Sequence, residues 1–236
     1  MDGFTKFDGI DYANTFAKRI SVMYELVKDV LSGQLRKGDE IIDLGGGPGM
    51  GARIIDELGI EATVTNIEPS TTIHNVPKLS FVKYIPLKMS FKEALVARMP
   101  YKASCLLMVS SEHEIALCNG RTPLENKKEF IHDMNEFIHK NLKKKGCLVI
   151  GFPDYRKGAT DTEITRQRRF TESLLGHSHP PEEFFTVEEF SAAFGIQPAV
   201  FVQKPMILAG EKPEETMLIA NIAVFKMDDI PGPYQI

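Results

Sequence analysis

The chain has 236 residues, 43% of them apolar and 25% charged, with 28 basic and 32 acidic side chains giving a net charge of −4. That balance excludes a disordered chain, a collagen-like fibre and a disulfide scaffold, and the length fits one domain over residues 1–236. A mildly acidic chain is also a poor electrostatic match for the phosphate backbone, so no nucleic-acid partner is expected.

Three cysteines stand at 105, 118 and 147, an odd number with no CxxC pair. Cys105 and Cys147 lie in apolar runs, where a free thiol behaves as a small core residue. Disulfides and cysteine-bound metal are therefore not expected, and a reducing compartment fits. Residues 1–10 have neither a basic segment nor an apolar one of the secretory kind. No apolar run approaches the ~20 residues that span a bilayer. A cytoplasmic location without membrane attachment is the expectation.

The first predicted element is a helix over Thr15 to Leu31, with Phe16, Ile20, Met23, Val27 and Val30 on one stripe and Gly33 as its stop. Residues 1–35 would cap the domain, with Tyr12 placed over a cofactor. A short buried strand, Glu40 to Leu44, runs into Gly45-Gly-Gly-Pro-Gly49. Ala52 to Leu58 reads as a helix closed by Gly59. Strands follow at Ala62 to Ile67, Leu79 to Tyr84 and Ser104 to Val109.

Thr122-Pro-Leu-Glu125 is a capping box with proline at the first helical position. Phe130, Met134, Phe137 and Ile138 form the stripe of that helix. Lys143 to Lys145 would complement its carbonyl end and Gly146 would supply a left-handed stop. A fifth strand spans Cys147 to Phe152, a helix falls within Arg156 to Arg169, and Thr186-Val-Glu-Glu189 caps a helix ending at Gly195. Two long β-type runs, Ala199 to Leu208 and Met217 to Phe225, flank a turn at Gly210 to Pro213 and suggest a hairpin. Strands alternating with helices predict an α/β, doubly wound, mostly parallel sheet, with the hairpin adding one antiparallel strand.

Four glycines within five residues, at a strand-to-helix turn, let backbone approach a ligand where a Cβ would clash. Two ligands compete for this loop. Gly47-Pro-Gly-Met-Gly-Ala52 matches the dinucleotide pattern GxGxxA, which sets pyrophosphate on a helix N-terminus. That reading makes the protein an NAD(P)- or FAD-dependent oxidoreductase. Asp43, just before the glycines, would repel pyrophosphate and attract the amino group and sulfonium of S-adenosyl-L-methionine. At ~4 Å and an effective dielectric of ~20, such a pair is worth several kcal/mol before desolvation. The sign of the charge favours the sulfonium ligand. Glu68 ends the second strand 21 residues after Gly47, where a carboxylate can accept both hydroxyls of a ribose.

With these residues in place, the chain resembles the class I S-adenosylmethionine-dependent methyltransferases. The matching stretches are Asp43 to Gly49, Glu68, Ser110-Ser111 after the fourth strand, and the terminal hairpin. The resemblance implies a seven-stranded sheet whose last strand is antiparallel. It also implies cofactor contacts at Asp43, Gly45, Gly46, Gly47, Glu68, Pro69 and Ser110. Relatives often carry an acid after the third strand, for the adenine amino group. This chain reads Tyr84-Ile-Pro-Leu-Lys88 there, so adenine would rest on apolar residues such as Pro86 and Leu87.

The acceptor would lie past the fourth strand, near Ser110-Ser-Glu-His-Glu-Ile115. His113 is the first candidate base, flanked by Glu112 and Glu114, which could orient it. His179, with His177, stands on a loop within an insertion over about 155–195 that would close on the substrate. Phe170, Phe184 and Phe185 lie near that loop and suit a small organic acceptor. Arg166, Arg168 and Arg169 could hold an anionic group. No third ligand accompanies the two histidines, so no metal is expected. The reading is methyl transfer to O, N or C of a small metabolite. A binding protein or cyclase that keeps the cofactor without methylating is the other alternative. Sequence does not set the oligomeric state.

Overall fold

In the strands, adjacent residues point to opposite faces, and here both are apolar: Ile41 and Ile42, Leu106 and Leu107, Leu148 and Val149 are all fully buried. Such strands need a layer of helices on each side. The computed structural model describes residues 21–117, 122–175, 178–208 and 210–230. It places seven strands in one sheet of order β3-β2-β1-β4-β5-β7-β6. They are β1 (Asp39–Leu44), β2 (Ala62–Ile67), β3 (Val82–Leu87), β4 (Ala103–Val109), β5 (Leu142–Tyr155), β6 (Val200–Pro205) and β7 (Leu218–Lys226). The helices are α1 (Ser21–Gln34), α2 (Met50–Glu57), α3 (Phe91–Val96), α4 (Glu112–Leu117), α5 (Pro123–Asn141), α6 (Asp161–Leu175) and α7 (Val187–Phe194). β7 runs antiparallel to both β5 and β6, and the other neighbouring pairs are parallel.

The two faces carry separate cores. Met23, Val27 and Leu31 of α1 and Ile54 and Ile55 of α2 cover Ile41, Val64, Leu107, Val149 and Ile222. Phe130, Met134 and Phe137 of α5 and Phe190 and Phe194 of α7 cover Ile42, Leu106, Leu148, Ile150 and Phe225. Burying each such side chain is worth roughly 1.5–3 kcal/mol. Cys105 and Cys147 are register partners on adjacent strands, both buried with free thiols.

The predicted capping boxes form at Thr122 with Glu125 and at Thr186 with Glu189, and Gly195 closes α7 at φ 68°. Four expectations change. α1 continues through Gly33 to Gln34, so that glycine is no stop; Thr15 to Ile20, the start of the predicted helix, lie outside the described residues. α5 ends at Asn141, and the basic residues of its last turn are His139 and Lys140. Lys143 to Lys145 belong to β5, and Gly146 has no positive φ. The cause is a bulge: Ala103 pairs with Leu142 and Cys105 with Cys147, so Ser104 faces four residues of β5. A Cβ on Gly146 would stand 3.0 Å from the carbonyl oxygens of Lys143 and Ser104, so the glycine serves this crossing.

The third strand is also displaced, to Val82–Leu87, so Pro86 and Leu87 are paired residues opposite Asn66 and Ile67. β3 is an edge strand, where proline costs no ladder bond on its outer side. Last, Phe184 and Phe185 are core residues. Phe185 packs on Phe130 at 5.3 Å and stacks on Phe190 at 5.0 Å, so neither ring is left for an acceptor.

Candidate active site

Parallel strands β1, β2 and β4 deliver their carboxyl ends to one edge of the sheet, and the glycine loop leaves β1 at that edge. Gly45, Gly47 and Gly49 have φ of 67°, 51° and 76°, the left-handed region where a side chain strains the backbone. Gly45 also lies against Ser111, whose Cβ would be 2.5 Å from an added methyl. Ser111 Oγ donates to the Leu44 carbonyl at 2.9 Å, tying the end of β4 to the end of β1.

Asp43 lies within the loop's inner wall. It is 1% exposed, and its Oδ2 accepts from the Gly51 N–H at 3.1 Å. A Cβ on Gly46 would stand 2.2 Å from that oxygen, and one on Gly51 2.6 Å. Burial pushes its carboxyl from 3.8 up to about 7; the Gly51 N–H pulls the other way and Glu68 adds to the rise. Asp43 thus shapes the loop from inside, and its charge is weakened at neutral pH. The charge-sign argument from sequence does not describe this geometry.

Glu68 sits just past β2, partly exposed. Its Oε2 accepts from the Gly47 N–H at 3.1 Å and its Oε1 from the Ser70 N–H at 2.9 Å. Pro69 lies between these two anchored residues. Sequence reasoning missed Asn66 and Tyr84. Asn66 Nδ2 donates to the Gly47 carbonyl at 2.9 Å and to Tyr84 Oη at 2.8 Å. Tyr84 Oη donates in turn to the Ile73 carbonyl at 3.0 Å. Burial raises the Tyr84 hydroxyl to about 12, so it remains a donor at any working pH. The chain of bonds fixes the loop, the end of β2 and the short 3₁₀ turn Thr71–His74 as one unit. The one polar residue that breaks the Thr63/Thr65 alternation of β2, Asn66, was the sequence signal for it.

The loop's amides are largely spent on the protein itself. Gly47 N–H goes to Glu68, Gly49 and Met50 N–H to the Gly46 carbonyl, and Gly51 N–H to Asp43. These are the donors a pyrophosphate would require at a helix N-terminus. With those amides occupied the loop suits a dinucleotide poorly, whereas the Glu68 carboxylate stands beside it at the end of β2.

At the end of β4, Ser110 has φ 52°, the one non-glycine residue with positive φ among the described residues. Its N–H donates to the Gly151 carbonyl at 2.6 Å. Such a conformation costs roughly 1–3 kcal/mol and clusters at ligand sites. His113 follows within α4, of which its backbone place alone is described, and Tyr12 and His177 lie outside the described residues. His179 is partly buried, with Nδ1 2.9 Å from Glu183 Oε2 and its carbonyl accepting from Tyr155 Oη at 3.0 Å. α6 exposes Arg166 and Arg169, and Arg166 donates to the Glu215 carbonyl at 3.1 Å. Pro86 is exposed beside Ile73, Val76 and Tyr84, Leu87 packs into the α5 core, and the position just past β3 is Lys88-Met89.

No family model matches the sequence, and no curated protein matches it. Solved structures do. The cyclopropane synthase MmaA2 from Mycobacterium tuberculosis aligns with TM-score 0.58 at 11% identity, over 86% of this chain and 83% of that one. A SAM-dependent methyltransferase from Thiobacillus denitrificans, in complex with S-adenosyl-L-homocysteine, aligns with TM-score 0.55 at 16% identity, over 89% and 96%. A putative sarcosine dimethylglycine methyltransferase from Galdieria sulphuraria gives TM-score 0.53 at 12% identity, over 89% and 86%. No helix among the described residues is long and apolar enough to cross a membrane. The order and directions of the seven strands, together with these alignments, give the chain the fold of the class I S-adenosylmethionine-dependent methyltransferases.

Proposed function

We propose that the protein is an S-adenosylmethionine-dependent methyltransferase acting on a small organic acceptor. The observation that carries this reading is Glu68, a carboxylate held by the Gly47 and Ser70 amides at the end of β2, beside a loop of left-handed glycines after β1. A carboxylate so oriented suits a ribose diol. Gly45, Gly46, Gly47, Glu68 and Pro69 would hold the cofactor, Ser110 would border it, and Asp43 with Asn66 would keep the loop in shape. When bound, the cofactor supplies a methyl group already activated on sulfur.

The chain's own task is then to align the acceptor, exclude water and take up a proton where the acceptor carries one. Of the segment 155–195, Phe184, Phe185, Phe190 and Phe194 are spent on the core, so the part that would border the acceptor is the stretch at His179, whose carbonyl accepts from Tyr155 Oη. His113, one turn into the segment after β4, and His179, oriented by Glu183, are the two base candidates.

Methyl-tritiated cofactor offered with separate panels of amines, phenols and carboxylic acids tests the reading. Transfer to one panel, lost in His113→Gln or His179→Gln with cofactor binding retained, supports it and selects the base. Cofactor binding with no transfer to any panel favours a binding protein; absence of binding ends the proposal.

A further inference from the structure

At the same carboxyl end of the sheet, but to the β6 side of β4, a groove of about 310 Å³ opens between β5, β7, β6 and the start of α7. Its floor is set by register. Phe152 pairs with Asn221, and Asn221 with Gln203, so the three side chains share one face. Asp154 stands on the same face two residues on, and Phe201 and Val187 wall the groove. From Gly151, which accepts the Ser110 N–H, to Asp154 is roughly 10 Å along the strand at ~3.3 Å per residue. The groove is thus displaced from the site described above.

Its polar groups are arranged unevenly. Asn221 is 1% exposed; its Nδ2 donates to the Phe152 and Ile219 carbonyls at 3.3 and 3.4 Å, and its Oδ1 accepts from Gln203 Nε2 at 2.6 Å. This relay occupies the Gln203 Nε2 and leaves its Oε1 as the acceptor of that amide at the groove. Most neighbouring charges are paired: Lys157 with Glu188 at 2.7 Å, Lys127 with Glu189 at 3.0 Å, Arg156 with Glu163 at 3.8 Å; Lys204, next to Gln203 on β6, alternates to the opposite face of its strand. Asp154 differs. Its Oδ1 accepts only the N–H of Tyr155, and no cation among the described residues pairs with it. The groove therefore offers a carboxylate and an amide carbonyl, both acceptors, between aromatic and aliphatic walls.

We propose that this groove is a second ligand site, binding a protonated primary amine carried on a flat apolar body. The ammonium would take Asp154 and Gln203 Oε1 as acceptors, and the body would lie between Phe152, Phe201 and Val187. A volume of this size suits a small ligand. Burial pushes the Asp154 carboxyl up to about 6, Glu188 and Glu189 add to the rise, and Lys127 and the Tyr155 amide oppose it. The proposal stands independently of methyl transfer, because cofactor titration reads the other site.

Saturation-transfer NMR on the full chain with phenethylamine, and with 3-phenylpropionate as its anionic counterpart, tests the assignment. Saturable binding of the amine and none of the acid is expected. Asp154→Asn should weaken the amine by about tenfold, as loss of a charge-assisted bond does, and leave S-adenosylhomocysteine titration unchanged. Phe201→Ala, at a residue 38% exposed on an edge strand, should weaken it as well and serves if the first variant does not fold. Equal binding of the two probes, binding of the acid alone, no saturable binding of the amine, or undiminished binding in a folded variant would overturn the proposal.

Discussion

Asp43 and Asp154 are both aspartates whose carboxyl burial lifts, the first to about 7 and the second to about 6. They differ in what surrounds them. Asp43 is enclosed by the backbone it shapes, its oxygen spent on the Gly51 N–H and pressed against Gly46. Asp154 keeps one oxygen on its own neighbour's amide and turns the rest toward a groove. A raised carboxyl therefore has two readings. In the glycine loop it reports a structural brace, and at the β5 end it reports a place for a cation. The partners of each carboxylate, rather than the shift, separate them.

Breaking the brace should have the largest effect. Gly46→Ala places a methyl 2.2 Å from Asp43 Oδ2 and 2.7 Å from Asn66 Oδ1, on two buried side chains held by the Gly51 N–H and by the Asn66 Nδ2 bonds. Urea unfolding should show a loss of about 3 kcal/mol, and the variant should lose S-adenosylhomocysteine binding. Retained stability would mean that the loop has room to relax and that Asp43 is no brace.

Asp43→Asn sharpens the comparison through pH. The carboxyl is raised in the folded state from 3.8 to about 7, so across that window the native state holds a proton the unfolded state has released. Its contribution is fully present below about pH 4 and is lost as pH rises through 7. Stability measured relative to the Asn variant should fall by about 1 kcal/mol per pH unit between those limits and level off above. A flat difference would place Asp43 in contact with solvent or a cation.

The smallest expected change is at the other aspartate. Asp154 is partly exposed, and solvent screening discounts its shift. Asp154→Asn should alter unfolding stability by under ~0.5 kcal/mol at pH 7, within the range of ordinary surface substitutions. A loss comparable to that of Gly46→Ala would make Asp154 a second brace and close the contrast.

The parts of this architecture visible in the sequence are those encoded locally. An apolar run before four glycines announced β1 and its loop, and the boxes at Thr122 and Thr186 announced two helix starts because cap and partner are three residues apart. What was misread depends on distant pairing. Lys143 to Gly146 look like a helix end until β4 imposes its bulge, and Pro86 and Leu87 look like residues past the third strand until β2 pairs them with Asn66 and Ile67. Phe185 looked available for a ligand, but Phe130 lies against it from 55 positions away in the chain. In the site, Glu68 was legible from its spacing to Gly47. The Asn66–Tyr84 relay and the Ser111 tie to Leu44 were not, since both join strands that only the sheet brings together.

The central claim is that Glu68, held by the Gly47 and Ser70 amides, receives the ribose of an S-adenosyl cofactor. Calorimetric titration of S-adenosylhomocysteine into the wild-type protein and Glu68→Gln tests it most directly. The account predicts saturable binding to the wild type, weakened by about tenfold or more in a variant whose unfolding curve is unchanged, as loss of charged hydrogen bonds requires. Equal affinity for the two proteins, or no binding to folded wild-type protein, would contradict it.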